Sequence, residues 1–380
     1  MEVGNIIFVI YVLINLQFCK SQLVFSGTGS GSTSGSATPT IMNNPCICVV
    51  SGYCSRINGS INSLPSDGSG LIDIRIINGG NGGSTSTGAS TTPASTGIPT
   101  IAVSQSACQT GLELCCLTSG YQCGLRFPPM QGAPSTTFGQ APYGSYPWFA
   151  LIFQQFTNIY VGSGVLIDHQ HILTVAHKVS NYSLSPTSLK VRLGEWNLQP
   201  TTEPITPLEF NVIRLFIHPQ FNSQSVANSV AILRVSPNVP LGQTPTITTG
   251  CLSTNYITGG RCWVAGYGEK AFASGITPTV MQHVELPIVD QATCQTLLRS
   301  TRLGTGFVLD PTSFLCAGGI PGRDACTGDG GSGLMCFVNR QWYIAGLVAW
   351  GIGCGSSNVP GVYMNITNYI NWIQTTTIQP

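Results

Sequence analysis

The sequence predicts an all-β protein built in two parts, a small cysteine-rich module followed by a larger domain of short strands. Three observations carry this reading. From Tyr143 onward, short apolar or alternating runs recur between turn residues, which is the texture of barrels and sandwiches. Six of the fifteen cysteines fall in two triplets ahead of that region, Cys46, Cys48 and Cys54, then Cys108, Cys115 and Cys116. Helix-like stretches are few and short.

Taken in order, the chain starts with an almost unbroken apolar run, residues 6–16, followed by small residues. It reads as the core of a signal peptide spanning residues 1–21, with Glu2 and no Lys or Arg ahead of it. The run is shorter than the ~20 residues a bilayer span needs, and the alternative is an uncleaved anchor. No later segment is expected to enter a membrane. Removing Cys19 leaves fourteen cysteines, an even number that can all pair. So many cysteines in 380 residues point to an oxidising compartment.

Charge excludes other classes. Asp, Glu, Lys and Arg make up 8% of the chain, against about 25% in an ordinary soluble domain. The net charge of +1 gives no basic surplus for nucleic acid, so no nucleic-acid partner is expected.

Residues 22–44 are rich in Ser, Gly and Thr and cannot offset ordering entropy, so they read as a low-complexity leader. Residues 45–117 form the stapled module. It holds LIDIRI (residues 71–76), a period-two strand signal, and a disordered insert at 79–97. A core this small depends on its disulfides. Zinc is the alternative reading of its cysteines, but their spacing is poor for a structural site.

Residues 118–140 are a Pro/Gly-rich linker containing Cys123. Residues 141–380 carry the strand signals WFALIF (148–153), YVGSGVLI (160–167), LKVRL (189–193), VIRLFI (212–217), VAILRV (230–235), CWVAGYG (262–268) and WYIAGLVAW (342–350). One helix is expected at 291–299, N-capped by Asp290, and another near 368–374.

Three segments of the larger domain resemble a known family. LTVAHK (173–178) is similar to the histidine motif of chymotrypsin-like proteases, NSVAILRV (228–235) to their aspartate segment, and DACTGDGGSGL (324–334) to the stretch around their serine. The order along the chain is also the family's. The resemblance implies two packed six-stranded β-barrels with a cleft between them.

Within those motifs the triad is incomplete. His177 keeps the histidine position, Ser229 stands where the family has the aspartate, and Gly330 stands where it has the nucleophile. Acyl transfer needs a nucleophile, a base and an orienting carboxylate, and glycine has no side-chain atom to attack with. Ser332, two residues on, is displaced by several times the roughly 1 Å that attack geometry tolerates. Ala349 replaces a serine that supports the aspartate in the family. A disulfide of the family is missing as a pair, its positions being Gly162 and Lys178. Asp324, Gly351 and Gly361 match the base and walls of a trypsin-like S1 pocket, which is read either as a relic or as a holder of an Arg or Lys side chain.

Activation is also expected to be disabled. The new N-terminus would fall near Ser135, yet STTF (135–138) lacks the Ile-Val pattern, and the nearest upstream basic residue is Arg126. Asp329 then needs another partner, as in a zymogen, because an unpaired buried charge is expensive.

ELCC (113–116) and DGSGLIDIR (67–75) resemble the clip domain of arthropod secreted proteases, in particular the clip-domain serine protease homologues and, among them, the prophenoloxidase-activating cofactors of insects. VRLGEWN (191–197), TRLG (301–304), FLCAGG (314–319) and VAWGIGCG (348–355) fit the same subgroup. The resemblance implies the pairs Cys46–Cys115, Cys48–Cys108 and Cys54–Cys116 in the clip. It also implies Cys123–Cys251 as a tether, then Cys262–Cys336, Cys294–Cys316 and Cys326–Cys354.

Asn58, Asn181 and Asn365 begin glycosylation sequons. Glu195 and Glu203 lie where trypsin relatives hold calcium. Their spacing is shorter here, and they are read as solvated carboxylates with a structural calcium as the alternative; no other metal or cofactor is implied.

The function implied is that of a secreted pseudo-protease in a haemolymph-like fluid. It would be processed by a trypsin-like protease, with Arg56 and Arg75 as basic candidates. It would then act as a binding cofactor toward prophenoloxidase or its activating protease in melanisation, with a homo-oligomer after cleavage as one form. An inhibitory decoy and a residual trypsin-like protease are the rivals. An adhesion role lacks the repeats to support it.

Overall fold

The computed structural model describes residues 123–126, 133–199, 203–255 and 262–379, together with the strands β1 (Cys46–Val50) and β2 (Leu112–Cys116), which pair antiparallel. The expected signal peptide, leader and insert lie outside the described residues. So do the 71–76 strand, Arg56, Arg75, Asn58 and the clip cysteine pairings.

The first half of the larger domain is a closed barrel of six antiparallel strands: β3 (Phe149–Gln154), β4 (Tyr160–Leu166), β5 (His171–Thr174), β6 (Leu189–Leu193), β7 (Leu208–Ile217) and β8 (Ala231–Ser236), in the order β3-β4-β5-β8-β7-β6. Period-two patterning sets the faces. Along β6 the buried Leu189, Val191 and Leu193 alternate with Lys190 and Arg192, which reach across to Glu209 on β7 at 2.8 and 2.7 Å. β7 starts four residues earlier than VIRLFI suggested, because that alternation already begins at Leu208.

The second half holds β9 (Cys262–Gly266), β10 (Gln282–Leu286), β11 (Ile288–Val289), β12 (Phe314–Gly318), β13 (Gly333–Val338), β14 (Gln341–Trp350) and β15 (Pro360–Asn365). They form one seven-stranded sheet in the order β10-β9-β13-β14-β15-β12-β11, where six strands were expected. Pro287, which has no N–H to donate, parts one chain segment into β10 and β11. That segment sits at both ends of the strand order, so the sheet curls round on itself through it. β13 and β14 turn at Asn339-Arg340, both with positive φ (49° and 68°), as a two-residue hairpin of this twist requires. All five residues of β12 are buried.

Among the described residues of the domain the α-helices are α1 (Ala176–Val179), α2 (Gln291–Arg299) and α3 (Ile370–Thr377). The Asp290 carboxylate accepts from the Thr293 backbone N–H at 2.9 Å and caps α2, which buries Cys294 and Leu298 one turn apart. The C-terminal helix begins two residues later than the 368–374 reading, after a 3₁₀ turn at Ile366–Tyr369.

Disulfides join Cys123–Cys251, Cys262–Cys336, Cys294–Cys316 and Cys326–Cys354. The first ties Cys123 to Cys251 across 128 residues of sequence. Gly124 beside it donates to the Thr249 carbonyl and accepts from the Trp342 N–H. Gly124 has φ +67°, and a Cβ there would come within 2.6 Å of the Trp342 backbone, so the close approach needs glycine. Arg126 follows with its guanidinium stacked 3.7 Å from the Trp342 ring and 4.2 Å from the Tyr146 ring.

Candidate functional site

β5 delivers the chain into α1, a helix of only four residues whose N-cap, Val175, has no side chain that can bond the free amides. Ser229, fully buried just ahead of β8, supplies those bonds instead. Its carbonyl accepts from the Ala176 N–H at 3.2 Å, and its hydroxyl accepts from the His177 N–H at 3.0 Å. Asn228, in the left-handed region at φ 54°, presents Ser229; it is held by the Ser313 and Tyr369 hydroxyls at 2.9 and 3.0 Å.

The Ser229 hydroxyl also lies 3.0 Å from His177 Nδ1. A hydroxyl donates or accepts, so it does not select the imidazole tautomer, and it carries no charge to stabilise an imidazolium. Burial, and then the Lys178 ammonium, hold the His177 imidazole down at about 4, from an ordinary value near 6.5.

Gly330 is buried just ahead of β13. The space where a side chain would stand is taken by Lys178. A Cβ at Gly330 would lie 2.6 Å from Lys178 Cε and 3.5 Å from its Nζ. A Cβ at Gly162 would meet Lys178 Cβ and Cγ at 3.4 Å. The lysine therefore runs over two residues without side chains. Sequence reasoning saw Gly162 and Lys178 only as a lost cysteine pair; a lysine facing two glycines was the available signal.

Ser332 is fully buried, and its hydroxyl donates to the Ala265 carbonyl, which removes it as a stand-in nucleophile. Asp329 has found backbone partners: its carboxylate accepts from the Gly268 N–H at 2.8 Å and the Cys326 N–H at 2.9 Å. Burial pushes its carboxyl up, against those two bonds. The glycines of CWVAGYG have their reason here, since a Cβ on Gly266 or Gly268 would run into this carboxylate. Residues 135–138 are exposed, with the Phe138 ring fully in solvent. The Tyr160 hydroxyl, which sequence reasoning missed, donates to the Gly328 carbonyl at 2.6 Å and meets Ser163 Oγ at 2.8 Å. The Ser163 N–H donates to the Gly330 carbonyl at 2.9 Å, so the loop ahead of β13 is held from β4 at both ends.

A cavity of about 190 Å³ opens beside these groups. His177, Lys178 and Gly330 line it together with Asp324, Gly351 and Gly361. Asp324 Oδ2 accepts from the Gly355 N–H at 3.0 Å, while Oδ1 is buried without a partner. Burial pushes this carboxyl up to about 6, opposed by the backbone amides of Gly355 and Ala325. A Cβ at Gly361 would sit 3.0 Å from the unpartnered oxygen, so the wall there stays low.

Asn181 is exposed, but Asn365 is 5% exposed where β15 ends, where packing closes it to a glycan. Glu195 and Glu203 are not solvated. Glu195 pairs with Arg192 at 2.9 Å and its side chain is 7% exposed. Glu203 Oε1 accepts from the Trp196 and Asn197 N–H groups, and burial pushes its carboxyl up to about 7. Among the described residues no group of three or more His, Cys, Asp or Glu is placed to hold a metal ion, and no helix is long and apolar enough to cross a membrane.

Comparison with known proteins gives two family matches. The family described as Trypsin matches residues 137–373, and the one described as Serine protease Clip domain PPAF-2 matches residues 38–117. Inactive CLIP domain-containing serine protease A3 of Aedes aegypti is 46% identical over 334 residues, spanning 88% of this chain and 67% of its own. Phenoloxidase-activating factor 2 of Galleria mellonella is 39% identical over 253 residues, 62% of this chain and 81% of its own. Inactive CLIP domain-containing serine protease A8 of Anopheles gambiae is 33% identical over 298 residues, 71% of this chain and 79% of its own.

Proposed function

The chain belongs to the trypsin family and to its clip-domain serine protease homologues, and from that premise we propose that it is a secreted binding cofactor of an innate-immune proteolytic cascade, acting in prophenoloxidase activation and melanisation. The observation that carries the non-catalytic part is Gly330 with Lys178 laid over it. No atom is present to form an acyl-enzyme, and loss of a nucleophile alone lowers turnover on the order of 10⁶-fold. His177 adds to this, since its partner is a hydroxyl and its proton affinity is low. The names of the mosquito relatives support the inactive reading, and that of the moth relative supports the cascade.

In this reading a trypsin-like protease processes the chain, and the larger domain then engages prophenoloxidase or its activating protease. The cavity floored by Asp324 receives a basic side chain from that partner. The test adds the purified full-length protein to a mixture of prophenoloxidase and its activating protease. Phenoloxidase output is expected to rise with dose; a fall identifies a decoy and overturns the cofactor reading. A serine-directed fluorophosphonate is expected to leave the protein unlabelled, and a label in the cavity would overturn the pseudo-protease reading.

A further inference from the structure

The cavity carries two charges of opposite sign that do not meet each other. In a chain with so few charged residues that is unusual. At one side Asp324 keeps an oxygen that is buried and unpartnered. At the other, Lys178 is half-buried, and among the described residues its ammonium forms no ion pair or side-chain hydrogen bond. Leaving a partly desolvated ion without a partner is costly, so each group is set to meet something that enters. A single small ligand complements both if it carries a cation on a flexible arm and an anion beside it.

The position of the ammonium narrows the choice. Lys178 is guided over Gly162 and Gly330, the absence of a Cβ at each leaving a track for its methylenes. Its charged end therefore stands about where an attacking hydroxyl would stand in a protease, next to the atom of a peptide that would be cut. A chain that continues through the cavity offers only a neutral carbonyl at that point. A chain that stops there offers a carboxylate. An ammonium favours the second, because a carboxylate meets it with a full opposite charge where a carbonyl offers only a dipole.

We propose that this cavity binds the free C-terminus of a peptide ending in arginine or lysine, Lys178 receiving the carboxylate and Asp324 the basic side chain. No bond is made or broken. The ligand is the product of a trypsin-like cut, so the protein would bind a partner after it has been cleaved and not before. The inference rests on the Asp324 cavity accepting a basic side chain, and it adds the recognition of the chain end.

The test uses the full-length protein and a fluorescein-labelled hexapeptide ending in arginine, with polarisation as the readout. Three forms are compared: the free acid, the C-terminal amide, and a free acid ending in glutamine. The acid ending in arginine is expected to bind about tenfold or more tighter than its amide, the ratio expected for exchanging a carbonyl for a carboxylate opposite one ammonium. Lys178→Met is expected to abolish that ratio while amide binding persists, and Lys178→Arg to keep it. Asp324→Asn is expected to weaken both arginine peptides, and thermal melts check that each variant folds. Equal binding of acid and amide by the parent protein overturns the role of Lys178 and leaves the basic-side-chain cavity standing. Failure of both arginine peptides to bind, or equal binding of the glutamine peptide, overturns the cavity reading and this proposal with it.

Discussion

Placing a serine at position 330 is the most direct probe of the incomplete triad, and on its own it is expected to fail. In Gly330→Ser the new Cβ falls 2.6 Å from Lys178 Cε, so the lysine must swing aside. That movement is cheap, because the obstruction is the flexible end of a side chain. The larger obstacle is His177. Its fall from near 6.5 to about 4 means about 3 kcal/mol less affinity for the proton it would have to take. Replacing the carboxylate of an intact triad by a neutral group is a further loss, on the order of 10⁴-fold in turnover, because the tautomer is no longer fixed. Gly330→Ser is therefore expected to hydrolyse a fluorogenic arginine amide at no more than about 10⁻⁴ of an intact triad's rate. Adding Ser229→Asp puts a carboxylate against Nδ1, where a hydroxyl now sits 3.0 Å away. It is expected to raise the His177 titration, followed by NMR, to 6.5 or above, and to raise turnover by about 10³-fold or more over the single variant. Equal turnover of the single and double variants, with His177 titrating at its ordinary value in both, would refute this account.

Acidification should weaken the fold. His177 and His283 both sit at about 4, held down first by burial and then by Lys178 and Arg126 respectively. As the pH falls below about 6.5 the unfolded chain takes protons that the folded one refuses until about 4, so stability is full above that window and is lost through it. Melting temperatures at pH 7, 5.5 and 4.5 are expected to descend, and His177→Asn to flatten part of the slope. Glu203 behaves in the opposite sense. Its raised carboxyl stabilises the fold least above about 7, so Glu203→Gln is expected to raise the melting temperature at pH 8 and to leave it unchanged at pH 4, with millimolar calcium giving no shift at either pH. Arg126→Ala is expected to cost about 2 kcal/mol in urea unfolding through lost stacking on Tyr146 and Trp342, and Arg126→Met less.

Where the sequence was legible, alternation made it so. LKVRL reads as a strand, and β6 occupies those five residues. The elements it did not reveal lack that signature. β15 opens on Pro-Gly, which usually punctuates turns, and β11 is two residues long. β5 is four residues with an inward histidine, His171, whose Nδ1 lies 2.8 Å from Asp168. At the site, motif spacing nominated His177, Ser229, Gly330 and Asp324, and the fold sets His177, Gly330 and Asp324 around one cavity, with Ser229 behind the histidine. The course of Lys178 was harder to read, because it depends on Gly162 of β4 and Gly330 ahead of β13, far apart in the sequence, converging beneath it. Burial of Glu203 was hidden for a similar reason: its partners are backbone amides, which no residue code announces.

The Arg126 socket bears on how the molecule can be opened by a trypsin-like enzyme. From Phe127 to His177 the sequence offers no lysine or arginine, so Arg126 is the last basic residue before the first barrel is well under way. Its side chain is wedged between two rings, three residues from a disulfide, and no protease subsite can reach it without peeling that segment away. In the reading proposed above, the nick falls further back, at Arg56 or Arg75, which lie between Cys54 and Cys108 in the sequence. With the clip pairs that the resemblance implies, such a cut would loosen a buckle without shedding the strap, and both pieces would stay joined by sulfur.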